Sequence, residues 1–99
     1  MTPEVKVKKQ VRRILDDLHI YHFLPPANGY GRAGVPDIIG CVLGRFIAIE
    51  CKAGKNKTTA LQDRELESIQ KAGGFAFVVN EHNLDQLQEE LTWLIQRSS

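Results

Sequence analysis

Asp37, Glu50 and Lys52 are the residues whose types and spacing could do chemistry. Asp37 follows Pro36 at the head of an apolar run, and twelve residues separate it from Glu50-Cys51-Lys52, which closes the next apolar run. If Leu43-Gly44 is a two-residue turn, Val42 faces Arg45, and stepping back along both strands brings Asp37 opposite Glu50. Directly opposed residues share a face with Cβ atoms roughly 4.5 to 5.5 Å apart. Alternation puts Lys52 on that face as well. A four-residue loop keeps this register, whereas a three-residue loop or a bulge breaks it. Two facing carboxylates repel, and a hard divalent cation with oxygen ligands resolves the conflict. Such an ion activates water for attack on phosphorus, and a lysine beside it neutralises developing charge. The spacing therefore points to phosphodiester hydrolysis. The competing reading is a solvated surface ion pair. Against it, the acids interrupt strands that are otherwise apolar.

The elements that must hold these residues are legible from periodicity. Thr2-Pro3-Glu4 reads as an N-cap, a first-position proline and a first-turn acid. Val11, Ile14, Leu15 and Leu18 follow at helical spacing, with Lys6, Lys8, Lys9, Arg12 and Arg13 on the other faces. "IYHFL" reads as a short strand before Pro25-Pro26, and "ANGYGRAG" as a glycine-rich loop. "DIIGCV" and "RFIAIECK" read as strands of a sheet covered on both faces. Thr59-Ala60-Leu61-Gln62 matches a capping box that starts a helix through Leu66 and Ile69, ended by Gly73-Gly74. "FAFVV" is a fourth strand, and Asn83 is placed to cap a last helix striped by Leu84, Leu87, Leu91 and Leu94. The order is αβββαβα, an α/β fold with a mixed sheet, because the intervening helix permits a parallel crossover.

Size and composition bound the rest. A chain of 99 residues with 42% hydrophobic and 25% charged residues holds one modest core, so we expect a single domain spanning 1–99. Neither an apolar run of about 18 residues nor a secretory leader is apparent, which predicts an intracellular, cytoplasmic protein without a membrane partner. Two cysteines without metal-site spacing predict neither a zinc module nor a disulfide framework. A net charge of +1 means that any nucleic-acid surface must come from local clustering.

At these residues the chain resembles a known group. Pro36-Asp37 followed by Glu50-Cys51-Lys52 is similar to the PD-(D/E)XK nuclease motif, and the element order is similar to that superfamily's restriction-endonuclease-like αβββαβ core. Gly34-Val35-Pro36-Asp37, Ile49-Glu50-Cys51-Lys52 and Thr59-Ala60-Leu61-Gln62 look most like its VRR-NUC family, the virus-type replication-repair nucleases. The likeness covers nearly the whole chain. It implies a Mg²⁺- or Mn²⁺-dependent endonuclease acting on branched DNA, dimeric and related to Holliday-junction resolvases, and in a host-cell cytoplasm if viral. By this resemblance Asp37 and Glu50 are metal-binding carboxylates, the Cys51 backbone carbonyl is a further ligand, and Lys52 is the catalytic lysine. Glu4 resembles an acid that family members carry on the first helix, though the helix dipole alone also favours it. Gln62 resembles a helix-borne glutamine beside the active site, and it is equally the third residue of the capping box.

The remaining candidates concern DNA. Lys6, Lys8, Lys9, Arg12, Arg13, Arg32, Lys55 and Lys57 are the expected phosphate contacts, with a solvated loop as the alternative for Lys55 and Lys57. "AGKNKT" is not a phosphate-binding P-loop, since Asn56 replaces the hydroxyl residue. Trp93 lies off the leucine stripe, placed to cover the first helix or a subunit interface. A non-catalytic DNA-binding module is the alternative function, carried by the basic first helix.

Overall fold

The computed structural model describes residues 1–26 and 33–98. Helix α1 spans Pro3–Asp17, strands β1, β2 and β3 span Tyr21–Phe23, Ile38–Val42 and Arg45–Cys51, helix α2 spans Ala60–Lys71, β4 spans Phe75–Val79 and α3 spans Leu84–Ser98. The sheet order is β1-β2-β3-β4, with β1-β2 and β2-β3 antiparallel and β3-β4 parallel. This is the expected mixed α/β architecture.

The β2-β3 turn fixes the register on which the site depends. Val42 pairs with Arg45 and Ile38 with Ile49, so the next step along both strands sets Asp37 against Glu50. Leu43 has φ 47° and Gly44 φ 89°, the two positive values that a type I′ hairpin demands. A leucine in that conformation costs about 1 kcal/mol, offset by a turn whose twist matches the strands it joins.

Alternation divides the sheet into unlike faces. Ile38, Val42, Ile47, Ile49, Cys51 and Val79 point to one side, where Val7, Val11 and Leu15 of α1 and Leu87, Leu91 and Leu94 of α3 close over them. Each such fully buried side chain contributes roughly 1.5–3 kcal/mol. Val7 extends the expected stripe of α1 by one turn toward its N-terminus. Thr2 caps that helix, its Oγ1 accepting from the Val5 N–H at 3.2 Å.

The expectation of a sheet covered on both faces does not hold. Among the described residues, α2 is the helix on the second face, where it lies against β4 with Leu66 buried. Tyr21 is 72% exposed, and Phe23, Phe46 and Val78 are also exposed. A helix about 10 Å across spans roughly two strands at about 4.8 Å spacing, so one helix leaves half of a four-stranded sheet open. Asn83 takes the expected N-cap position, its carbonyl accepting from the Leu87 N–H at 3.1 Å, while its side-chain Oδ1 accepts from the Asn80 N–H at 2.8 Å and ties the turn before α3. Of the two expected places for Trp93, covering α1 is not the one seen: it stays half exposed under the Arg97 guanidinium, 5.0 Å from its ring, and so remains surface to which a partner could be added.

Candidate active site

The open face holds the acid pair at the C-terminal end of β3. Asp37 sits one residue before β2, and its Oδ2 accepts from the Cys51 backbone N–H at 2.8 Å. That bond fixes one carboxylate oxygen against the strand and leaves Oδ1 to face the site. Glu50 is only 3% exposed. Its Oε2 accepts from the Gln62 Nε2 at 3.1 Å and lies 3.6 Å from the Lys52 Nζ. Burial, then the Asp37 charge and a hydrogen bond shared with Asp37, raise the Glu50 carboxyl from its usual 4.5 to about 7, against the opposing pull of Lys52. Of the facing pair, Glu50 is therefore the acid that burial and its neighbour make reluctant to ionise.

The approach to Asp37 is clamped from the opposite side of the site. Gly34 has φ 78°, and a Cβ there would meet the Leu61 carbonyl oxygen at 2.6 Å. Only glycine allows this segment to lie on the first turn of α2. That same turn delivers Gln62. Its backbone N–H donates to the Thr59 Oγ1 at 3.2 Å, its Oε1 accepts from the Thr59 N–H at 2.9 Å, and its Nε2 is left to donate to Glu50. The two readings of Gln62 are thus one arrangement: the capping box fixes which way the amide points.

Helix α1 reaches the site with its first two turns. Glu4 Oε1 lies 3.9 Å from the Lys52 Nζ, and Lys8 Nζ lies 3.6 Å from the Asp37 Oδ1. The charged groups form a chain running Lys8, Asp37, Glu50, Lys52, Glu4, in which the two facing acids are flanked by a lysine on either side. Lys8 is the residue whose place the sequence reading missed, having been assigned only to phosphate. The available signal was its position four residues after Glu4, which puts both on one helix face.

Other predicted residues stand apart. Lys6, Lys9, Arg12 and Arg13 are exposed on α1, and Lys55 and Lys57 are exposed after β3, where the Glu81 Oε1 accepts from the Gly54 N–H at 2.7 Å and ties down the turn. Arg32 lies outside the described residues. Burial, with the Asp37 and Glu50 charges, pushes the Cys51 thiol up to about 12, so it is no nucleophile.

Among the described residues, no three or more His, Cys, Asp or Glu side chains group so as to hold a metal ion. A hard divalent ion would here have two carboxylates, with a backbone carbonyl, water and substrate phosphate completing its shell. That donor set suits Mg²⁺ or Mn²⁺, which commonly take one or two carboxylates. The burial and the Asp37 charge that raise the Glu50 carboxyl are costs that a bound cation would offset. In comparison with known proteins, the chain matches no family model and no curated protein.

Proposed function

We propose that this protein is a metal-dependent DNA endonuclease that hydrolyses phosphodiester bonds in branched or four-way-junction DNA, with the VRR-NUC likeness of its motifs as a supporting argument. The observation that carries the reading is the facing pair Asp37 and Glu50, with Lys52 beside the buried Glu50 at the end of a strand that is buried from Ile47 to Cys51. An ordinary surface ion pair would not bury one of two like charges against the other.

Asp37 and Glu50, with the Cys51 carbonyl, would hold Mg²⁺ or Mn²⁺. When bound, such an ion lowers the pKa of water and neutralises charge on phosphate. Gln62 keeps the Glu50 Oε2 occupied and so orients its other oxygen toward Asp37. Lys52, tethered between Glu50 and Glu4, is placed to position a nucleophile or neutralise the phosphorane-like transition state. Lys6, Lys9, Arg12, Arg13, Lys55 and Lys57 supply sequence-independent phosphate contacts.

A domain this small presents little surface to a branched substrate, and we include a symmetric homodimer in the reading. The exposed Tyr21, Phe23 and Phe46 on the sheet, and Trp93 on α3, are apolar surfaces available for it. The test is nicking of labelled duplex, flap, splayed and four-way DNA with Mg²⁺ or Mn²⁺ against the same reactions in chelator. Metal-dependent cutting is expected, strongest on branched forms. Tight DNA binding without cutting on any substrate would leave the non-catalytic module instead.

A further inference from the structure

Lys8 occupies a place that nothing in its helix requires. Glu4 and Lys8 are spaced i, i+4 with the acid N-terminal, the favourable order for a pair along the helix. Instead each reaches across the site, Glu4 to Lys52 and Lys8 to the Asp37 Oδ1. That oxygen is the one left over after Oδ2 is committed to the Cys51 N–H. It is therefore the oxygen through which Asp37 would bind a metal. The Lys8 side chain retains 29% of its exposure, so its ammonium can leave for solvent, for Glu4 or for a phosphate without disturbing the packed face of α1.

We infer that Lys8 is a counterion for Asp37 that competes with the divalent ion and is drawn off by substrate phosphate, so that metal and DNA load cooperatively. This rests on the proposed metal site. In the free protein the ammonium neutralises Asp37 and weakens metal binding, because a cation must either be displaced or be tolerated beside a divalent ion. A DNA phosphate offers Lys8 another partner, frees Oδ1 and tightens metal binding. By linkage, the metal must tighten DNA binding by the same factor. The arrangement restrains hydrolysis of anything that does not bring phosphate to Lys8.

The test measures binding rather than cleavage. Melting temperature is followed against Mn²⁺ concentration for the parent, Lys8→Gln and Asp37→Asn, without DNA. Lys8→Gln is expected to reach half-maximal stabilisation at about tenfold lower Mn²⁺ than the parent, the scale of one opposing charge near the surface. In a Lys52→Ala background, used to keep DNA intact, a short duplex should lower the Mn²⁺ midpoint, and adding Lys8→Gln should remove most of that coupling. An unchanged or raised midpoint for Lys8→Gln, with stabilisation abolished by Asp37→Asn, overturns the role of Lys8 and keeps the metal site. Identical Mn²⁺ stabilisation in the parent and Asp37→Asn overturns the metal site itself.

Discussion

The two faces of one strand do different work in this molecule. Along β3, Ile47, Ile49 and Cys51 are buried among α1 and α3, while Glu50 and Lys52, on the alternate positions, form the charged site beside α2. The covered face is apolar from Ile47 to Cys51, and the other holds an unfavourable pair of acids because the first face fixes the register that opposes them. Precision at the site is thus a by-product of hydrophobic packing behind it. A carboxylate pair on a loop would relax apart, whereas these two have a rigid sheet between them.

The comparison predicts that changes on the two faces separate activity from stability. Glu50→Gln should lower metal-dependent nicking by about 10²–10³-fold, the scale on which loss of one preorganised electrostatic group acts. Its stability in chelator should equal or exceed the parent's, since one of two repelling charges is gone. Lys52→Ala should lose turnover but keep Mn²⁺-induced thermal stabilisation, because an ammonium is no ligand. Normal nicking by Glu50→Gln would return the pair to an ordinary ionic contact. On the adjacent residue and the opposite face, Ile49→Ala should cost about 2–5 kcal/mol in urea unfolding. Its activity, measured well below its unfolding midpoint, should fall far less than that of Glu50→Gln. Equal losses of activity would mean that the faces are not separable.

The buried acid also makes a prediction about pH. Glu50 binds its proton more tightly folded than unfolded, with the carboxyl near 7 rather than 4.5. The stability it adds is therefore fully present below about pH 4.5 and is lost as pH rises through about 7. Across that window the metal-free protein should lose on the order of 3 kcal/mol from this group. Glu50→Gln should flatten that part of the stability profile, as read by urea midpoints at several pH values in chelator. Mn²⁺ should restore stability most strongly above pH 7, where no proton has to be displaced.

How far the sequence foretells this depends on which face is asked about. The core face is written in period: the Val11 and Leu15 stripe, the Leu87, Leu91 and Leu94 stripe and the β-strand runs all find each other. The acid pair is legible because a two-residue turn leaves a single register, and Leu43-Gly44 supplies it. Contacts across elements are harder to read, since they depend on how helices lie over the sheet. No spacing rule shows that Lys8 will leave Glu4 for Asp37, or that the amide of Gln62 will serve cap and carboxylate together. The openness of the second face was misread for a related reason. Apolar strands look alike whether a helix covers them or not, and Phe46 and Phe23 carry no mark of exposure in their order along the chain.

That open face gives the smallest expected effect on folding and the sharpest contrast with Ile49. Tyr21 and Phe23 extend the Asp37 side of the sheet across β1, with ring centroids 6.5 Å apart and both side chains exposed. Exposed side chains of this kind change stability by about 0.5 kcal/mol or less when replaced. Tyr21→Ser with Phe23→Ser should therefore leave the urea midpoint of a dilute sample close to the parent's, and a Mn²⁺ titration of melting temperature should be unaltered because the acid pair is untouched. Association is where the pair should act. If the bare face meets its copy in the homodimer, sedimentation at micromolar concentration should show the parent as a dimer and the double variant as a monomer, the lost contact being apolar area that neither copy covers alone. A parent that is monomeric throughout, or a double variant that still dimerises, removes this face from the assembly and leaves its aromatics as ordinary exposed surface.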